Sequence, residues 1–492
     1  MPASRTIISR VFDEHLQEDF AALSGDRNPM HMDPVAARRT QAGVPVVHGV
    51  HALLWSLESL LATGTIASKV VQIKVRFLKW IYIGDEASLV LPLGEQLDPK
   101  KLEVHVRGLQ VLTADLIYGE PQVEALSGSL APSPEEPHKT ALDLSFADLA
   151  NRVGDAFVAP NENAPARFPL LSSSITPTAV AEIAACSYIV GMEAPGLHSM
   201  FSKLAITIRK CEQGNEGRTA LHYAVTYIDE RFRKVQISVS GRCVSGILDT
   251  FVRVAPVEQP AMSTVAMYVN PLEFEEMRAL IIGGSRGLGE LTAKLVAAGG
   301  GSVTITYALG KVDAERLTNH IEDCGGRASV IPYDVRKKPL DQLESISELP
   351  THLFYFATNT IYRPKKGVLS GSILAEFVEF YVQGFYDLCN TLTELRARGG
   401  TPQRKLIAFY PSTVFIDERP AAMTEYAMVK AAGEQLCADM NIYLPDLQVI
   451  VHRLPKLLTD QTAGVLPERS TDAIGALLPI IRQVMDLSLG QG

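Results

Sequence analysis

Cysteine is scarce and scattered in this 492-residue chain. The six thiols, Cys186, Cys211, Cys243, Cys324, Cys389 and Cys437, lie far apart, and no Cys-x-x-Cys occurs. No histidine cluster has metal-ligand spacing either, so no metal is expected. Free thiols in a reducing cytoplasm are the simplest expectation. Basic residues are also short: 46 Lys and Arg against 55 Asp and Glu leave a formal charge of −9. A nucleic-acid partner normally needs a basic face, so that class is set aside, although a local basic pocket for a phosphorylated ligand is not. No apolar run approaches the roughly 18 residues that a membrane-spanning helix needs. The opening Met1-Pro2-Ala3-Ser4-Arg5-Thr6 lacks the apolar core of a signal peptide. A cytoplasmic protein that spans no membrane is the expectation.

What is present is ordinary globular composition, 47% hydrophobic and 21% charged, over a length that exceeds one core. About three domains are expected. Phe12, Leu16, Phe20 and Leu23 have helical spacing. A second helix begins at His48-Gly49, and Val50, Leu53, Leu54, Leu57, Leu60 and Leu61 give it a stripe wide enough for burial. Strand-like stretches follow at 70–77, 87–91, 102–109 and 110–118. Residues 129–139 are Pro-rich and polar and read as a linker. Thr176-Pro177 then starts another apolar helix, running from Ala179 to about Gly191. Strands are expected at 201–208, 219–227, 235–244 and 248–254. One apolar helix followed by about four strands thus occurs twice, as in a divergent repeat. A second linker is expected over 256–275. From Met277 strands alternate with helices, the texture of a parallel sheet.

Between the first two helices lies a polar knot. Asp26, Asn28 and His31 fall within six positions, among the turn formers Gly25 and Pro29. Alone, Asp26-Arg27-Asn28-Pro29 reads first as an Asx-turn capping a helix. The knot together with His48-Gly49, and with Arg76-Phe77-Leu78-Lys79-Trp80 followed by Gly84-Asp85, resembles the signature of the MaoC-like (R)-specific enoyl-thioester hydratases. That family usually has Pro where this chain has Trp80. The resemblance implies a hot-dog fold, a sheet wrapped around a central helix. It implies Asp26 and His31 as a base and acid pair on one water, with Asn28 orienting them. Gly49, at a helix start, would offer its N–H to an oxyanion. His48 would brace the loop. His51 and His198 read as structural or pocket-lining. The repeat, lacking its own polar knot, matches the plan of double hot-dog hydratases.

The third region opens with an apolar strand, Ala279-Leu280-Ile281-Ile282. Gly283-Gly284-Ser285-Arg286-Gly287-Leu288-Gly289 and a helix follow. Strand, glycine turn and helix make a dinucleotide pyrophosphate site. With Asp334-Val335 and Tyr426-Ala427-Met428-Val429-Lys430, this resembles the short-chain dehydrogenase/reductases, a doubly wound Rossmann fold. The resemblance implies cofactor contacts by Gly283, Ser285, Arg286, Gly287, Leu288, Gly289, Asp334 and Val335, and catalysis by Tyr426, Lys430 and a serine. Ser412 fits the serine by residue type and Thr413 by spacing. Thr306-Tyr307-Ala308 lacks an acid for a ribose 2′-OH, while Arg286 and Lys311 are at hand, which favours NADPH over NADH. The family's usual residues are absent at Ile282, at Ala357-Thr358-Asn359, at Tyr381 (normally Asn) and at Pro455-Lys456.

The expected architecture is therefore an α+β double hot-dog followed by an α/β Rossmann domain: 1–130, 140–256 and 276–492. The two resemblances share a substrate, since a (3R)-hydroxyacyl thioester is the product of one and the substrate of the other. A bifunctional hydratase/dehydratase and 3-oxoacyl-thioester reductase is the leading expectation, on acyl-CoA or acyl-carrier substrates, as a homo-oligomer through the Rossmann domain. A hydratase with a weakened nucleotide domain and a non-catalytic acyl-carrier docking scaffold are the alternatives.

Overall fold

The computed structural model describes residues 4–94, 97–122, 131–210, 219–344, 346, 348–361, 365, 367–398, 404–457, 459–460 and 472–489. It divides into two compact units, one reaching Ala255 and the other starting at Pro256.

The first unit carries ten strands: β1 (Ser4–Val11), β2 (Val70–Phe77), β3 (Glu86–Pro92), β4 (Lys101–Val106), β5 (Leu109–Tyr118), β6 (Val153–Ala156), β7 (Ser199–Ile208), β8 (Leu221–Asp229), β9 (Lys234–Ser240) and β10 (Val244–Val252). They form one antiparallel sheet in the order β1-β3-β4-β5-β2-β7-β10-β9-β8-β6. The order β3-β4-β5-β2 in the first half recurs as β8-β9-β10-β7 in the second. The halves meet where β2 pairs with β7, Gln72 opposite Thr207 through Arg76 opposite Lys203. Each half contributes a buried helix. After α1 (Glu14–Ser24) comes α2 (Gly49–Ala62), on which Leu53, Leu54, Leu57 and Leu60 have no exposed surface. Burying a leucine stabilises by about 1.5–3 kcal/mol. In the second half α3 (Pro177–Tyr188) runs into a π-helical turn, Ile189–Glu193. The helix expected to reach Gly191 thus ends in a wider turn.

One charge sits inside α3. The Glu182 carboxylate accepts the backbone N–H groups of Arg242 at 2.7 Å, Cys243 at 2.9 Å and Val244 at 2.7 Å. Burial pushes it up to about 7, against the pull of those three donors. It ties the β9–β10 turn to the core helix.

The second unit has six parallel strands: β11 (Arg278–Ile282), β12 (Ser302–Tyr307), β13 (Arg327–Pro332), β14 (His352–Tyr355), β15 (Leu406–Thr413) and β16 (Leu447–Leu454). Their order is β13-β12-β11-β14-β15-β16, a doubly wound sheet whose direction of progression reverses between β11 and β14. That reversal opens the crevice in which such sheets bind ligands. Its helices include α4 (Gly287–Ala298) after β11 and α5 (Thr424–Tyr443) after β15.

Two expectations are corrected. The stretch 256–275 is not a loose linker: Met262, Val265, Val269 and Phe274 are buried in the second unit's core. A short helix, Met262–Val265, and the turns after it carry these side chains into that core. Cys186, Cys324, Cys389 and Cys437 are free, but Cys243 is disulfide-bonded. Distance along the chain says nothing about distance in the fold. Cys211 and the start of the 129–139 stretch lie outside the described residues. No single helix among the described residues is long and apolar enough to cross a membrane.

Candidate active site

The polar knot begins where α1 stops. Gly25 closes that helix in a left-handed conformation, φ 81°, where a Cβ would lie 3.0–3.1 Å from Pro137, Phe157 and Tyr188. The chain then folds into an Asx-turn, with the Asn28 N–H donating to Asp26 Oδ1 at 3.1 Å. Asn28 in turn caps a short helix, Pro29–Met32, accepting from the Met30 N–H at 3.0 Å. The turn-and-cap reading is thus correct as local structure, and it is also what aims the acid inward. The Asn28 amide reaches across to the second half, donating to the carbonyls of Gly191 (2.7 Å), Gly196 (3.2 Å) and Leu197 (3.4 Å).

Asp26, His31 and His48 bring ligand-type atoms within 4.8 Å of one another. Asp26 is buried and accepts from Ser187 Oγ at 2.7 Å. Burial raises its pKa; His31, Ser187 and the Asn28 N–H pull it back toward the ionised form. A Cβ on Gly191 would stand 2.7 Å from Asp26 Cγ, so the carboxyl fits only because that residue is glycine. His31 Nδ1 donates to the Val46 carbonyl at 2.7 Å. A carbonyl can only accept, so this bond fixes the tautomer and leaves Nε2 with its lone pair. Burial lowers the His31 pKa, Asp26 raises it and Arg253 lowers it further. His48 Nε2 donates to the Asp26 carbonyl at 3.1 Å and is 3.8 Å from Oδ2. Burial holds His48 well below the usual histidine range.

Next to this cluster α2 begins. Gly49 is its first residue, and no side chain caps its N-terminus. The first-turn N–H groups therefore have no intrahelical acceptor and form an anion-favouring end. A Cβ on Gly49 would lie 2.7 Å from the Phe77 ring. Chemically, a carboxylate and a neutral imidazole can hold one water between them and exchange protons with it, while the helix end stabilises an oxyanion. His51 is not part of this set. It is buried, stacked on Phe20 at 4.9 Å, and pushed down to about 3 by burial. Sequence reasoning missed Ser187, Gly191 and Arg253. They come from the half without a motif, and nothing in their local sequence marks them.

In the second unit the glycine turn is built for close approach. Gly283 has φ 74°, and a Cβ there would lie 2.9 Å from the Phe356 backbone. A Cβ on Gly289 would lie 2.9 Å from Gly284 Cα. No side chain caps α4, whose N-cap is Arg286 and whose first residues are Gly287 and Leu288. A diphosphate fits that bare helix end. Ser285 lies buried in the same turn. Arg286, expected at a 2′-phosphate, donates through Nη1 to Asp460 at 3.0 Å. Asp334 accepts two bonds from the Arg336 guanidinium, at 3.0 and 2.8 Å, and one from its backbone N–H at 3.1 Å, and Val335 beside it is buried. The side-chain hydroxyl of Thr306 is directed inward, to the Ile281 carbonyl at 3.1 Å.

Tyr426 and Lys430 share a face of α5, and the Lys430 Nζ lies 5.8 Å from the Tyr426 ring centroid. The same Nζ is 4.2 Å from the centroid of Tyr381 and 4.6 Å from that of Tyr410, and donates to the Pro411 carbonyl at 2.7 Å. Burial in this tyrosine cage pushes Lys430 down to about 7 and raises the Tyr426 hydroxyl. Tyr381 bonds Thr358 Oγ1 at 2.5 Å and donates to Asn359 Oδ1 at 3.4 Å. Ser412 is not brought to Tyr426 by a hydrogen bond. Its hydroxyl donates to Glu434 at 2.5 Å, and Glu434 is clamped by Arg453. Thr413, the next residue, accepts the Phe415 N–H at 3.2 Å.

Among solved structures similar to the chain is FolM alternative dihydrofolate reductase 1 from Brucella canis complexed with NADP: 16% identity, 39% of this chain and 79% of that one, TM-score 0.34. A 3-oxoacyl-[acyl-carrier protein] reductase with bound NAD from Brucella melitensis is 17% identical, covers 42% and 79%, and has a TM-score of 0.34. A short-chain type dehydrogenase/reductase from Mycobacterium ulcerans is 18% identical, covers 38% and 70%, and has a TM-score of 0.34. Residues 3–113 match the family model described as the MaoC like domain, and this N-terminal stretch, which holds Asp26, Asn28, His31 and Gly49, is a MaoC-like domain.

Proposed function

We propose that the chain is an (R)-specific enoyl-thioester hydratase/dehydratase joined to an NADPH-dependent 3-oxoacyl-thioester reductase. In this reading the first unit is a double hot-dog (1–130 and 140–256) and residues 276–492 are a reductase domain. It acts on acyl-CoA or acyl-carrier thioesters in the cytoplasm, and assembles as a homo-oligomer through the Rossmann domain.

The observation that carries the hydratase reading is the His31–Val46 bond, which leaves Nε2 as an acceptor beside the Asp26 carboxyl. In hydration, water held by Asp26 and His31 gives one proton to the pair as its hydroxide adds to C3. The pair returns a proton to C2, and the net change is addition of H₂O. Charge developing on the thioester oxygen meets the Gly49 N–H. Dehydration is the reverse. For reduction, the glycine turn and the α4 start are suited to the cofactor's diphosphate. When bound, NADPH supplies a hydride to the C3 carbonyl carbon. Tyr426 holds the proton for the carbonyl oxygen, with Lys430 beneath it.

A second reading, a hydratase with a catalytically weakened nucleotide domain, is favoured by the Ser412–Glu434 bond and the caging of Lys430. The test is two assays on the full chain: hydration of crotonyl-CoA, and NADPH oxidation with an acetoacetyl thioester. The first reading expects both, with hydration lost roughly 10²–10⁴-fold in Asp26→Asn and NADPH oxidation abolished in Tyr426→Phe. Hydration without NADPH oxidation selects the second reading. No turnover of either kind sinks both and leaves a docking scaffold.

A further inference from the structure

A guanidinium from the motif-free half reaches the loop that holds Asn28. Arg253 follows β10 and is 5% exposed. Its Nε donates to the Ser199 carbonyl at 3.0 Å and its Nη2 to the Leu197 carbonyl at 2.8 Å. Its backbone N–H donates to the His198 carbonyl at 2.6 Å. The Leu197 oxygen is also an acceptor for the Asn28 amide. One carbonyl thus joins Arg253 to the residue whose N–H holds Asp26 Oδ1.

Arg253 also lacks a counter-ion. Among the described residues no carboxylate lies within ion-pair distance of it, and every partner of its side chain is a carbonyl oxygen. Taking a cation out of water without an opposite charge is costly. Burial accordingly pushes Arg253 down to about 10, still charged at neutral pH. Its charge lowers the His31 pKa, a smaller influence there than burial, Asp26 or the Val46 carbonyl.

We propose that Arg253 is a positioning residue for the hydratase chemistry: it fixes the 196–199 loop that grips Asn28, and it sets a positive charge behind the Asp26–His31 pair. This rests on the hydratase reading of the Asp26–His31 site. The other groups acting on His31 are Asp26, which favours the protonated ring, the Val46 carbonyl on Nδ1, and His48, stacked at 4.0 Å. His198, on the loop itself, faces Asp143 at 3.4 Å and is lowered first by burial and then by Arg253. Arg233 donates to the Arg253 carbonyl at 2.8 Å and adds no negative charge.

The sign follows directly. Removing the cation makes His31 easier to protonate, so the acid limb of kcat/KM moves to higher pH. Arg253→Gln keeps an N–H donor without charge; Arg253→Lys keeps charge without the two-pronged grip. Both are made in the full chain and checked by thermal unfolding. The readouts are the pH profile of crotonyl-CoA hydration and ¹⁵N NMR titration of His31. For Arg253→Gln we expect the acid limb and the His31 titration to rise together, with kcat/KM reduced about tenfold at neutral pH. Arg253→Lys should leave both in place while losing several-fold in kcat/KM. Equal losses with an unmoved limb and an unmoved His31 titration overturn the proposal, because a purely structural role predicts that. If Arg253→Gln does not fold, Arg253→Lys decides: unchanged kcat/KM, or a His31 titration that moves, overturns it. If the wild type hydrates nothing, the hydratase reading fails, and the His31 titration still decides what Arg253 does.

Discussion

The imidazole of His31 stacks on that of His48 with ring centroids 4.0 Å apart, and each ring gives one N–H to a backbone carbonyl, Val46 for His31 and Asp26 for His48. Two neutral rings in contact with a carboxylate resemble a metal site in composition. One N–H committed to a carbonyl leaves each ring a lone-pair nitrogen, the arrangement of a metal ligand as much as of a proton acceptor, so metal removal separates the two roles. Hydration of crotonyl-CoA is expected to be unchanged after exhaustive treatment with EDTA and dialysis. Loss of activity that zinc or another divalent ion restores would reassign this cluster as a metal centre.

His51 bears on acid stability. Its folded pKa is about 3 against an ordinary 6.5. Between those values the unfolded chain binds a proton that the folded chain refuses, so stability falls as pH falls through that window. His51→Phe keeps a ring over Phe20 and removes the titration. It should gain about 2 kcal/mol over wild type on going from pH 8 to pH 5. Thermal unfolding at the two pH values measures this; a gap that does not widen on acidification refutes the assignment.

Gly49 has no room for a methyl group, because Phe77 occupies the position a Cβ would take. Gly49→Ala should cost about 1–3 kcal/mol of stability through overpacking and lower kcat/KM for hydration by about 10²-fold, by moving the helix end away from the oxyanion. Adding Phe77→Leu should return most of the stability. Full hydratase activity in Gly49→Ala would remove this N–H from the mechanism.

Ser412 and Thr413 can be separated by substitution. With Ser412 bound to Glu434, Thr413 is the hydroxyl left near the strand end for a carbonyl substrate. Thr413→Val is expected to reduce NADPH oxidation with an acetoacetyl thioester at least tenfold, and Ser412→Ala less than threefold. The opposite ranking would restore Ser412 to the site.

Much of this was legible along the chain. The stripe of Val50, Leu53, Leu54 and Leu57 announces a buried helix, and the apolar run Ala279–Ile282 before a glycine turn announces a buried parallel strand, because periodicity reflects local geometry. Asp26, Asn28 and His31 stand close in sequence, so one turn brings them together. Ser412 shows where such reasoning stops. Residue type favours it, but the direction of its hydroxyl depends on Glu434, 22 residues away, and on Arg453 beyond that. Burial of Met262, Val265, Val269 and Phe274 was equally out of view, since no rule of turn composition tells a packed apolar segment from a linker.

By itself the sequence determined most of the elements and the two kinds of sheet, since each depends on contacts within a few positions. Only the tertiary structure decided how the acid is held. Asp26 is buried against Ser187 and Gly191, more than 150 residues away, and Asn28 hangs on the carbonyls of 191, 196 and 197. The tautomer of His31, the unpaired charge of Arg253 and the cage around Lys430 belong to the same class. Protonation and hydrogen-bond direction are set by burial and by distant partners, and these exist only once the halves of the sheet have closed on their helices.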